Sequence, residues 1–332
     1  MKIFIACPAP AHSRSGNRVT ALRWARILRG LGHRLTIAQE YDGAPCDLCI
    51  ALHARRSHQA VVHYRRFYPT GPLILALTGT DLYRDIHRNG QAQRSLELAD
   101  RLIVLRPKGR AELPTRLRSK VRVIYQSVEP IRAVPAKNAR FFEVCVLGHL
   151  RHEKDPFRPA LALRLVPAES GIRVIHAGQA LKPGFTERAH KLAAQDPRYR
   201  WIGEVPRARA RRILARSRLL VLPSRMEGGA NVISEAIVDG VPVLASRIAG
   251  SEGMLGEDYP GFFPVGDTRA LARLMLRAAS APDFYNRLKE RCHRLAPLFK
   301  PAREREAWKN LLREMIGDSI KQPRRAARSR LG

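Results

Sequence analysis

The chain has 332 residues, 45% hydrophobic and 27% charged, enough for two domains with cores of their own and outside the ranges of disordered, collagenous or disulfide-framed chains. Sixty Lys and Arg against 29 Asp and Glu give a formal charge of +31, and 49 of the 60 basic residues are arginine. The charge is spread, +14 over residues 1–136 and +17 over residues 137–332, and only 6% of residues are aromatic, so no basic module with stacking residues stands out and no specific nucleic-acid partner is expected.

Apolar runs such as residues 73–78 and 219–223 are five or six residues long. A bilayer needs about 20, so no transmembrane segment is expected. The opening MKIFIACPAPAHSR has one Lys and an apolar run that stops at Pro8. That is shorter than the core of about 7 to 15 residues in a secretory signal, and a cytoplasmic protein is the expectation. The five cysteines, mostly within strand-like runs, fit a reducing compartment. Cys46 and Cys49 form a C-x-x-C that reads as a redox pair, half a zinc site or the head of a buried strand; with no second pair at zinc spacing, the strand reading leads.

In chain order, KIFIAC reads as a strand, and residues 17–31 as a helix with Val19, Leu22, Ala25, Ile27, Leu28 and Leu31 at apolar positions before Gly32. RLTIAQ, CDLCIALHA, a helix at 58–67, PLILALTG, a helix at 91–99, RLIVLR, a helix at 110–117 and VRVIY continue the alternation. EPIRAVPAKN, residues 129–138, has two prolines and no period, and reads as a linker. FEVCVLGHL, RVIHAG, YRWIGE, RLLVLPS and PVLAS then alternate with helices near 157–165, 187–194, 208–217 and 232–238, and helices follow at 268–279, 282–295 and 302–316. The pattern predicts an α/β protein with two doubly wound, Rossmann-like domains, 1–130 and 139–300, facing a cleft. The helix at about 302–316 is expected to pack back on the first domain, and residues 319–332 to form a basic tail.

The sharpest motif is PSRMEGGANVISEAIVDGVPVLAS, residues 223–246. Gly228 and Gly229 let backbone approach a ligand, and free N–H groups near Asn231 at the helix start suit a diphosphate. Glu235, eight residues after Glu227, can accept both hydroxyls of a ribose as a bidentate carboxylate, and Glu227 can reach a sugar hydroxyl. A helix start flanked by two surface glutamates is the plainer reading. This stretch resembles the E-x7-E signature of nucleotide-sugar glycosyltransferases with the GT-B fold, a class that is typically retaining.

That resemblance implies donor-binding roles for Glu235, for Glu227 and for the segment from Gly228 to Asn231. It also implies a station in GHLRHEKDPF, residues 148–157, where relatives have a Gly-Arg pair and a Lys on the diphosphate. Lys154 matches, His149 replaces the Arg, and Arg151 is the candidate for the displaced guanidinium. Arg225 is a further phosphate candidate, and the base is expected near residues 203–205.

In the first domain Gly16 and Asn17 precede a helix, with Arg14, Arg18 and Arg23 nearby, a loop more basic than the glycine-rich loop of relatives and suited to an anionic acceptor. Where many relatives have a His, LTGTDLYRD offers Thr78, Thr80, Asp81 and Arg84. Asp81 is the candidate acceptor base, with capping by Thr80 or Asp81 the alternative. The chain has no D-x-D, and with Lys154, arginines and helix amides on the leaving diphosphate no metal or other cofactor is expected.

Residues 16–268, through GNRVTALRWARILR, YDGAPCDLCIALHARRSH, LTGTDLYRD, RVIYQSV, FEVCVLGHLRHEKDPFR, SRLLVLPSRMEGGANVISEA and SRIAGSEGMLGEDYPGFFPVGDT, resemble the selenosugar synthases of selenoneine biosynthesis. The resemblance implies a UDP-sugar donor, UDP-N-acetylglucosamine, and selenophosphate as acceptor, giving a 1-selenosugar, UDP and phosphate. A downstream enzyme would then place the selenium on a histidine-derived betaine. A conventional glycosyltransferase with a lipid or polysaccharide acceptor is the alternative, and a nucleic-acid or scaffold protein that kept the fold and lost catalysis the third reading.

Overall fold

The computed structural model describes residues 1–13, 15–227 and 230–321, the last four as backbone only. Arg14, Gly228 and Gly229, named above as ligand candidates, lie outside the described residues, as does the basic tail beyond residue 321.

The chain divides into two compact units, one of residues 1–126 with residues from 302 onward, the other of residues 127–301. The first unit holds six parallel strands in the order β2-β1-β3-β4-β5-β6: β1 (Lys2–Ala6), β2 (Arg34–Ala38), β3 (Leu48–Leu52), β4 (Leu73–Leu77), β5 (Arg101–Val104) and β6 (Val121–Val123). Every residue of β3 and β4 is buried, which is why LCIAL and LILAL are unbroken apolar runs rather than alternating ones. Helices α1 (Gly16–Arg29), α2 (His58–Phe67), α3 (Ile86–Arg88) and α4 (Gly90–Leu98) connect them.

The C-terminal helix, Pro301–Lys321, completes this unit. Trp308, Leu311 and Leu312 join Ile3, Ile5, Trp24, Leu28 and Ile50 in one core, and the rings of Trp24 and Trp308 meet edge to face at 4.9 Å. Glu304, 2% exposed, accepts from Trp24 Nε1 at 2.7 Å and from Arg23 Nε at 3.3 Å, so a buried carboxylate is matched to an indole and a guanidinium.

The second unit holds six more parallel strands in the order β12-β11-β10-β7-β8-β9: β7 (Phe142–Leu147), β8 (Ile172–Ala177), β9 (Tyr199–Trp201), β10 (Leu219–Leu222), β11 (Val243–Ser246) and β12 (Phe262–Phe263). Its helices are α5 (Arg158–Leu163), α6 (Phe185–Gln195), α7 (Arg207–Arg216), α8 (Asn231–Val238), α9 (Ala249–Leu255), α10 (Thr268–Ser280) and α11 (Pro282–Leu295); the C-terminal helix is α12.

Three local features depart from the sequence reading. The helix expected at 110–117 is instead two 3-10 turns, Pro107–Arg110 and Thr115–Lys120, with Pro114 in extended backbone between them. A π-helical turn, Asp81–Asp85, follows β4. Helix α9 and strand β12 extend the second unit where no element was expected; the glycines of AGSEGML weaken the helix locally, and burial of Met254 and Leu255 overrides that.

Candidate functional site

In the second sheet the chain order reverses between β7 and β10, so the loops that leave their carboxyl ends diverge and open a crevice, the usual ligand position in a doubly wound sheet. These loops carry Gly148, His149, Arg151 and Lys154 after β7, and Ser224, Arg225 and Glu227 after β10.

The first loop is held against β8 by backbone contact. A Cβ on Gly178 would lie 1.9 Å from the Gly148 carbonyl oxygen, so only glycine fits there. His176, fully buried in β8, holds the same carbonyl: Nε2 donates to Gly148 O at 3.2 Å and Nδ1 accepts from the Tyr199 hydroxyl at 3.0 Å. Because a carbonyl can only accept, this fixes the Nε2–H tautomer, and burial pushes the imidazole pKa down to about 4.

The two loops are joined at one carboxylate. Glu227 Oε1 accepts from the Lys154 ammonium, which comes from the 3-10 turn His152–Lys154, and from Ser224 Oγ at 2.7 Å. Glu227 is 9% exposed and Ser224 is fully buried. Arg225 N donates to Glu153 O at 2.8 Å, a second stitch between the loops. The backbone of Glu227 lies against α9: a Cβ on Gly250 would stand 2.0 Å from its carbonyl oxygen.

The other candidates of this unit lie on the same two loops and on α8. His149 Nδ1 accepts from Gln179 N at 3.1 Å. The Nε of Arg151 is buried and makes no hydrogen bond among the described residues. The Arg225 side chain is 55% exposed and stands 3.9 Å from Asp155, whose carboxylate Arg158 already grips at 2.9 and 3.3 Å. Helix α8 starts without a side-chain cap on Ala230, and Asn231 Oδ1 is buried with no partner among the described residues. One turn in, Glu235 Oε1 accepts from Arg207 Nη2 at 3.0 Å and lies 3.8 Å from Arg211 Nη1, while Arg211 Nη2 reaches both oxygens of buried Asp239 at 2.6 and 2.7 Å. The set offers cations and uncapped amides for a diphosphate, and a carboxylate for a vicinal diol.

In the first unit the order reverses between β1 and β3. The loop after β1 leads to Gly16 and Asn17, and Asn17 Oδ1 accepts from Thr78 Oγ1 at 2.6 Å, tying α1 to the end of β4. Arg18 Nε is buried without a partner among the described residues. Thr80 caps nothing. Asp81, the candidate acceptor base, is fully buried, its Oδ1 accepting from Gly79 N at 2.7 Å and its Oδ2 from Ala54 N at 3.0 Å, so the carboxylate clamps two backbone segments.

Sequence reasoning missed His53, at the end of β3. It is 3% exposed and held at φ 76°, a left-handed conformation uncommon for a residue with a Cβ. Its Nδ1 accepts from Arg56 N at 3.3 Å and lies 4.0 Å from Asp81 Oδ2, and its Nε2 lies 3.9 Å from Asp85 Oδ2. Burial pulls its pKa below the ordinary imidazole range, against the two carboxylates. Arg207 and Arg211 were missed too, although their spacing of four matches that of Glu235 on α8 and Asp239 at its C-terminal cap. Among the described residues no three His, Cys, Asp or Glu side chains gather as a metal ion would require.

Sucrose-phosphate synthase from Thermosynechococcus elongatus has a similar structure, with a TM-score of 0.76 at 15% identity over 96% of this chain and 99% of that one. The Anabaena protein HepE, solved with UDP and glucose, gives 0.75 at 16% identity over 95% and 100%, and a glycosyltransferase from Rickettsia africae gives 0.72 at 14% over 96% and 99%. These likenesses show the fold: two parallel-stranded α/β halves of the GT-B kind. Residues 127–294, half of the chain, match the family model of the glycosyl transferases group 1. With that match across the unit that carries Lys154, Glu227 and Glu235, the chain belongs to the group 1 glycosyl transferases.

Proposed function

We propose that this group 1 glycosyltransferase moves a sugar from a UDP-sugar, UDP-N-acetylglucosamine, to selenophosphate. The observation that carries the donor half is the junction of Lys154, Ser224 and Glu227 at the reversal of the second sheet, with Glu235 one turn into the adjoining helix. HepE, of the same fold, was solved with UDP and glucose, which fits a uridine nucleotide donor. Glu235 takes the ribose diol; Lys154, Arg151 and the amides at the start of α8 neutralise the diphosphate as it leaves; Glu227 orients the sugar.

The acceptor half rests on the resemblance of residues 16–268 to selenosugar synthases and on the basic residues of the first unit. Selenium attacks the anomeric carbon as the bond from that carbon to the diphosphate oxygen breaks, releasing UDP. Water then cleaves the phosphorus–selenium bond, leaving phosphate and a selenolate sugar for an enzyme that transfers selenium to a histidine-derived betaine. An ionised selenium nucleophile needs little base assistance, which suits a site whose Asp81 is committed to backbone. Five free thiols suit a reducing, cytoplasmic setting.

Purified protein incubated anaerobically with UDP-N-acetylglucosamine and enzymatically made selenophosphate is expected to give a hexosamine with the selenium isotope pattern, together with UDP. UDP binding without that product would instead favour a conventional acceptor. Leu22, 45% exposed, beside exposed Arg26 and Arg29 on α1, is the observation behind a lipid acceptor, tested by flotation with anionic vesicles.

A further inference from the structure

Asp85, at the end of the π-helical turn, is 5% exposed, and both of its oxygens are taken by arginines through Nε: Arg55 at 2.9 Å on Oδ2 and Arg84 at 3.1 Å on Oδ1. Those are the only hydrogen bonds made by either guanidinium among the described residues. The side chains remain 40% and 39% exposed, so the terminal nitrogens of both face solvent while a single carboxylate fixes their Nε edges.

Behind Asp85 stands His53, with a buried Nε2 that has no hydrogen-bond partner among the described residues and lies 3.9 Å from Asp85 Oδ2. A left-handed residue, a π-helical turn and an orphaned buried nitrogen are each costly, and together they lie beside the β1/β3 reversal of the first sheet. A carboxylate that aligns two arginines does what isolated surface arginines do not: it sets their hydrogen-bonding forks in advance, lowering the ordering cost when a tetrahedral oxyanion arrives.

We propose that Arg55 and Arg84, aligned by Asp85 and backed by His53, form a binding site for a phosphate-class tetrahedral oxyanion. Its identification with the phosphoryl group of the acceptor rests on the function proposed above; the site itself does not. Arg84 stands among the acceptor candidates of the sequence, whereas Arg55, Asp85 and His53 do not, since their convergence depends on the π-helical turn and on the left-handed residue after β3.

The test is calorimetric titration with inorganic phosphate, and separately with UDP, at about 0.15 M salt, where diffuse attraction to a basic protein is screened beyond about 8 Å. Arg55→Lys and Arg84→Lys keep a cation beside Asp85, so the fold is retained, but each loses the fork. Each is expected to weaken phosphate binding about tenfold, and the pair to abolish it, with UDP affinity within about twofold of wild type. The charge control, Arg26→Gln with Arg29→Gln, is expected to leave phosphate binding intact. Unchanged phosphate binding in the double lysine variant, or an equal loss in the charge control, overturns the site. A parallel loss of UDP affinity would assign the arginines to the donor diphosphate and overturn the site as drawn. If wild-type protein bound phosphate in this pattern but bound no UDP, the proposed function would fall and the oxyanion site would stand.

Discussion

Lys154 and Glu227 meet across 73 positions of chain: an ammonium from the turn after β7 donates to a carboxylate that leaves β10. The pair closes the loops at the reversal of the second sheet, and Ser224 donates to the same carboxylate oxygen. Lys154→Ala leaves Glu227, 9% exposed, with its cation removed, and is expected to cost about 2 to 4 kcal/mol in urea unfolding. Glu227→Gln keeps the shape and is expected to lower turnover by about 100-fold or more while changing UDP affinity less than about threefold. Equal losses in both would make Glu227 a binding group instead.

The two glycine contacts predict steric failures of different reach. Gly178→Ala drives a methyl to 1.9 Å from the Gly148 carbonyl and should displace the loop that carries Lys154, costing about 3 kcal/mol or more and most of the UDP affinity. Gly250→Ala presses on the Glu227 carbonyl from α9, at 2.0 Å, and should depress turnover more than UDP affinity. Wild-type titration curves for Gly178→Ala would show that the loop relaxes freely.

His176 ties stability to pH. Its folded pKa of about 4 lies below the 6.5 of a solvated imidazole, so the unfolded chain binds the extra proton. The stabilising contribution is therefore complete above pH 6.5 and is lost as pH falls from there toward 4, about 3 kcal/mol in all for a group buried this completely. Denaturant midpoints measured across that window should fall less steeply for His176→Gln than for wild type; identical slopes would remove the assignment.

Around Glu235 two arginines predict opposite signs. Arg207, 59% exposed, occupies an oxygen that a ribose diol would use, so Arg207→Ala is expected to tighten UDP by about twofold. Arg211 holds Asp239, whose side chain is fully covered and whose pKa is raised by burial and pulled back by that guanidinium. Arg211→Ala should weaken UDP about tenfold and destabilise the second unit, because it strands Asp239 in the interior. Titration of both variants with UDP decides the matter.

The α/β class and every strand but β12 were legible because strands buried on both faces, such as LCIAL and LILAL, leave unbroken apolar runs. The candidate residues of the second unit were legible where chemistry is local, as with Glu227 and Glu235 eight apart on one loop and helix. What lay out of reach depends on burial and on distant contacts. Asp81 reads as a base until two backbone amides are seen to occupy it, and Arg207 reads as one more surface arginine until α7 lies beside α8. No period or propensity announces a histidine at φ 76°.

The bond from Trp24 to Glu304 spans 280 positions, and it orders events during synthesis. The second unit is one uninterrupted stretch, residues 127–301, and emerges from the ribosome ahead of Trp308. The core around Trp24 and Leu28 therefore waits, uncovered, while the second unit is made, and α12, synthesised after both, is what seals it. A nascent chain stalled short of α12 would expose an apolar surface that chaperones recognise, and premature termination near residue 300 would leave an aggregation-prone first half attached to a finished second one.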